Sequence, residues 1–138
     1  MIERHDWLDP SRAPLYVVTY PAVRALEDVK HAHEAIESVY RRAAGPVAWL
    51  VDARSVRGAN ARERQIVAEH EKRVAPFARK YCVGLGLVIP NAIVRGLFTA
   101  VTWMSPLQYP FKVVDTCTEA ELWLQGRLVT AGGGCAAR

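Results

Sequence analysis

Val83-Gly84-Leu85-Gly86-Leu87-Val88-Ile89 contains no polar side chain and no alternation of apolar with polar residues. A strand with one face in water alternates; an unbroken apolar run marks a strand covered on both faces. Val47-Ala48-Trp49-Leu50-Val51 is a second run of the same kind. Leu15-Tyr16-Val17-Val18-Thr19-Tyr20 is β-branched and aromatic, bracketed by Pro14 and Pro21, and reads as a third strand.

Between these runs the apolar period changes from strand to helix. In Ala25–Ala44, Val29, Ala32, Ile36, Val39 and Tyr40 share one face, while Lys30, Glu34, Glu37 and Arg41 fall elsewhere. Gly45-Pro46 ends that helix. Asn60, with Glu63 three residues on, resembles a capping box for the next helix. Ile66, Val67, His70, Val74 and Phe77 form its inner face, and Pro76 is expected to bend or shorten it. A third helix spans about Ala92 to Met104, after Pro90-Asn91 and before Ser105-Pro106. Tyr109–Val114 reads as a strand. Thr118 with Glu121 predicts a capping box for a last helix ending near Leu128.

Upstream, Ile2–Trp7 is expected to be a short edge strand, hairpinned to Leu15–Tyr20 through the turn residues Asp9-Pro10-Ser11-Arg12. The order is thus β-β-α-β-α-β-α-β-α: one α/β domain over residues 1–128, with a mixed, mostly parallel five-stranded sheet and four helices. Residues 129–138, with three consecutive glycines, are expected to be a flexible tail.

The chain has 138 residues, 51% of them hydrophobic and 23% charged, which suits one globular domain and excludes a disordered or fibrous chain. No apolar stretch is long enough to span a membrane, and residues 1–6 lack a signal peptide's apolar core, so a cytoplasmic location is expected. Three cysteines imply no disulfide framework. A net charge of +4 permits anionic contacts without specifying any.

The element order and several motifs resemble the STAS-like (SpoIIAA-like) domains, sulfate-transporter and anti-sigma-factor-antagonist relatives, and in particular a bacterial subgroup of them. The motifs are Val51-Asp52-Ala53-Arg54, Val83–Pro90, Val94-Arg95-Gly96-Leu97 and Tyr109-Pro110-Phe111-Lys112-Val113. The resemblance implies a small non-enzymatic domain that binds a protein partner or an apolar ligand, often in a regulatory role, without a cofactor. It also raises the alternative of an antagonist-type regulator. The phospho-switching members carry an Asp-Ser pair opening the helix after their third strand. Here that place is Arg57-Gly58-Ala59-Asn60-Ala61, without a hydroxyl, and Ser55 lies too early in the loop.

Ligands of parallel sheets sit beyond the strands' C-terminal ends. That crevice would hold Asp52, Arg54, Ser55, Asn91 and Asp115. Asp52, Arg54 and Asp115 offer acid–base chemistry for a small enzyme, a second alternative. Against it, Asp and Asn at such turns ordinarily cap helices and fix loops, and Asp52 is expected to do so. Gly84-x-Gly86 lies inside a strand, so it is read as room for a close-packed helix rather than a nucleotide loop.

The histidines lack metal-site spacing, and the helical ones are read as solvated. Cys82 reads as core. Cys117, near a helix start, is a candidate for a lowered thiol pKa. The basic cluster Arg54, Arg57, Arg62, Arg64, Lys72, Arg73, Arg79 and Lys80 has Glu63, Glu69 and Glu71 interleaved. It is read as a solvated face with internal ion pairs, not a specific nucleic-acid site. The third helix holds more apolar surface than one sheet face can cover: Ile93, Val94, Leu97, Phe98, Val101, Trp103 and Met104. That excess predicts a homodimer, partner surface or apolar groove including Phe98 and Trp103.

Overall fold

The computed structural model describes residues 2–136, with side chains to residue 131. Its elements are β1 (Leu8–Asp9), β2 (Leu15–Thr19), α1 (Leu26–Arg41), β3 (Val47–Asp52), α2 (Ala61–Tyr81), β4 (Cys82–Val88), α3 (Ala92–Met104), β5 (Phe111–Val114) and α4 (Cys117–Ala136). The strands lie in the order β1-β2-β3-β4-β5. β1 is antiparallel to β2, and the other pairings are parallel. The fold is the mixed, mostly parallel α/β sheet that the apolar runs imply.

Because each strand is laid beside its predecessor, three right-handed crossovers all return over the same face. Tyr16, Val18, Trp49, Leu85 and Leu87 meet helical residues such as Ile36, Val39, Val74 and Val94 on that face. The opposite face, with Leu15, Ala48, Leu50, Val88 and Val114, is covered by Ala120 and Leu124 of α4. Gly84 and Gly86 make that approach possible. A Cβ on Gly84 would lie 3.1 Å from the Trp123 ring, and one on Gly86 would lie 3.1 Å from the Ala120 Cβ.

Several expectations shift. The first strand is Leu8–Asp9 rather than Ile2–Trp7; it is held by Leu8↔Val18 pairing, while Trp7 packs its ring against Tyr20. Pro76 does not end α2, which runs through to Tyr81. The capping pair of α4 is two residues earlier than expected: the Thr116 hydroxyl accepts from the Glu119 N–H and bonds the Glu119 carboxylate. α4 continues past Leu128, with the Thr130 hydroxyl donating to the Gly126 carbonyl. The remainder of the expected tail, residues 137 and 138, lies outside the described residues.

Candidate functional site

The strand-end crevice is built from local ties. Asp52, last residue of β3, accepts the Arg54 amide at 3.1 Å and the Arg54 guanidinium at 2.9 and 2.8 Å. Hydrogen bonding from Arg54 holds its carboxyl below the usual range. Asp115 pairs with a different arginine, Arg95, at 2.7 Å, and the Arg95 Nε donates to the Ile89 carbonyl. Asn91 caps α3, accepting from the Ile93 and Val94 amides at 2.8 and 3.2 Å. Ser55 is exposed. Each carboxylate is thus held by its own arginine. Burial, then the nearby Asp52 carboxylate, raises the Cys117 thiol, so the lowering expected at a helix start is reversed.

A second location has stronger chemistry. A cavity of about 100 Å³ lies between the three-helix face of the sheet and the helices. Its floor is Val18, Trp49, Val51, Leu85 and Leu87. Phe98 and Val101 of α3 line it opposite the sheet, with Leu107 and Tyr109 of the following loop. Within these apolar walls, α1 places His33 and Tyr40, and α2 places His70 and Glu71.

His33 corrects the solvated reading of helical histidines, while His70 takes the inner-face place its spacing predicts: they are 3% and 2% exposed, with ring centroids 4.5 Å apart. The hydrogen bonds fix one tautomer. His33 Nδ1 faces the Val29 carbonyl at 2.9 Å, and a carbonyl only accepts, so Nδ1 carries the proton. Nε2 therefore accepts from the Tyr20 hydroxyl, also at 2.9 Å. Burial lowers the His33 pKa to about 4 and holds that of His70 well below its ordinary value. His70 Nδ1 has no hydrogen-bond partner among the described residues. No third His, Cys, Asp or Glu joins the pair as a metal ligand set among the described residues.

Glu71 accepts from the Tyr109 hydroxyl at 3.0 Å and makes no ion pair among the described residues. Burial pushes its carboxyl up to about 7. The period of α2 carries a signal for this residue, since Glu71 is four residues after Val67 and three before Val74, at inner-face spacing. The same applies to Glu37, four after His33 and three before Tyr40; it is buried and holds Arg41 and Arg73. Glu63 also turns inward, to Arg24. Only Glu69 of the three acids placed within the basic cluster stays exposed, so their expected role as surface ion pairs is corrected.

α3 splits as its composition suggests. Val94 and Val101 are buried, Leu97 is half-buried, and Phe98 lines the cavity with its ring 5.7 Å from that of Phe111. Ile93, Trp103 and Met104 face outward, Trp103 being 82% exposed, so Phe98 and Trp103 do not share one surface. No protein-family model, curated protein or solved structure matches the chain.

Proposed function

We propose that this chain is a non-enzymatic binding domain whose cavity beneath α3 receives a small, mainly apolar ligand. The observation that carries this reading is the cavity itself: about 100 Å³ walled largely by aliphatic and aromatic side chains and bordered by α3, a helix with only two buried residues. An apolar cavity of about 150 Å³ suffices to bind benzene or xenon. A bordering helix with few buried contacts also shifts at low cost, which eases a ligand's entry. The separate pairing of Asp52 and Asp115 supports binding over an enzyme built on those carboxylates.

Membership among the STAS-like domains, a regulatory role and a cytoplasmic setting belong to this same proposal. They rest on element order and the quoted motifs; among the described residues no helix is long and apolar enough to cross a membrane. In an antagonist-type regulator, the switch segment would have to work without a hydroxyl, since Gly58 accepts from Arg24 and Asn60 caps α2.

Methyl NMR spectra of the protein under xenon pressure test the cavity. Shifts confined to the methyls lining the cavity, such as those of Val18, Val51, Leu85, Leu87, Val101 and Leu107, are expected, and unchanged spectra would retire the reading. A second reading, self-association through the outer side of α3, is favoured by the exposure of Ile93, Trp103 and Met104. Sedimentation that gives a monomer throughout the micromolar range would remove it.

A further inference from the structure

The polar groups around the cavity show what its ligand must bring. The Tyr20 proton is committed to His33, and the Tyr109 proton to Glu71. The Tyr40 hydroxyl accepts from the Trp49 indole at 2.9 Å. Among the described residues, His70 Nδ1 is the one fully buried side-chain nitrogen or oxygen without a partner, and the second oxygen of the partly exposed Glu71 carboxylate accepts from no protein donor. Both are acceptors when the His70 imidazole carries its proton on Nε2. A carboxylate without a cation against apolar walls is costly even when partly exposed, and aromatic rings beside it attract positive charge.

We propose, resting on the cavity reading above, that the ligand is a small organic ammonium ion: a protonated amine on a compact aliphatic body. Scaled from the benzene-binding cavity, the space suits about four or five heavy atoms. The ammonium would donate to the free Glu71 oxygen and to His70 Nδ1, while its alkyl part meets Trp49, Phe98 and Val101. The groups facing Glu71 from other elements are Tyr20, Tyr40, Cys82 and Tyr109, none of them cationic at neutral pH. His33 and His70 are neutral there too. An incoming ammonium therefore supplies the missing counter-charge.

The test compares isobutylamine, isobutanol and xenon on the intact chain at pH 8, by calorimetry for the first two and NMR for all three. Isobutylamine is expected to bind at least about tenfold more tightly than isobutanol, an advantage of about 1.4 kcal/mol. In Glu71→Gln the advantage should vanish while isobutanol still binds. If isobutanol or xenon enters and isobutylamine gains nothing, the ammonium proposal is overturned and the cavity reading stands. If none of the three binds, both fall. An advantage that persists in Glu71→Gln overturns the proposal as well. Should that variant fail to fold, the three-probe comparison on the unaltered chain decides alone.

Discussion

Arg24 and Glu63 are thirty-nine residues apart in sequence, yet their side chains meet at 2.6 Å, almost out of contact with water. The same guanidinium donates to the Pro21 and Gly58 carbonyls. It therefore fastens the loop before α1 to the loop and first turn of α2. Removing one member leaves the other charged, buried and alone. Arg24→Ala or Glu63→Ala should each cost about 3–5 kcal/mol in urea unfolding, and the double variant much less than the sum. Additive losses would show that the pair is not coupled.

Asp52→Ala should lower stability by about 1–2 kcal/mol, the size of a lost cap. The carboxyl is held below its ordinary value of 3.8, so its contribution is complete above pH 3.8 and is lost as pH falls further. Chemical denaturation of Asp52→Asn should therefore converge on the unaltered protein at the acid end. A constant gap down to pH 2 would contradict this.

The buried histidines and Glu71 impose opposite pH dependences. Unfolded His33 titrates near 6.5 and the folded residue near 4, so unfolding takes up protons below pH 6.5. Stability is then lost as pH falls through that window, by up to about 3 kcal/mol from this residue. Glu71 titrates near 4.5 unfolded and about 7 folded. Its contribution is present below pH 4.5 and disappears as pH rises through 7. Unfolding across pH 4 to 8.5 should show Glu71→Gln more stable than the unaltered chain at the basic end, by about 2–3 kcal/mol, with no gain at the acid end. A gain of equal size at both ends would remove Glu71 as the titrating group.

Gly86→Val should cost about 1–3 kcal/mol by overpacking. The obstacle is the Ala120 Cβ, fixed to the α4 backbone and unable to turn aside. Gly96→Val, at an open helical position, has no such neighbour. Thermal melts that rank the two the other way would refute close packing as the reason for Gly86.

The apolar runs at β3 and β4 were legible because burial on both faces leaves a local mark. So was the Asn60 cap, whose partner is three residues away. The cavity left a weaker trace. Glu71 sits in the inner-face period of α2, where its charge disguises it as a surface residue. Its contact with Tyr109 spans thirty-eight residues, beyond anything a local pattern carries. His33 was misread for a related reason: two residues from His31, it shares neither that residue's direction nor its solvent. The Asp52 turn was read correctly because its partner, Arg54, is two residues away.

The sequential strand order has a consequence for how the chain is made. Each β-α unit docks on the one synthesised just before it, so contacts on the three-helix face form between near neighbours in sequence, a topology that favours rapid folding. The other face waits. Among the described residues, Leu15, Ala48, Leu50 and Val88 are covered by α4, which is synthesised after all five strands. A growing chain halted after β5 would carry a finished sheet with one greasy side bare, the kind of surface through which nascent chains aggregate or are held by chaperones.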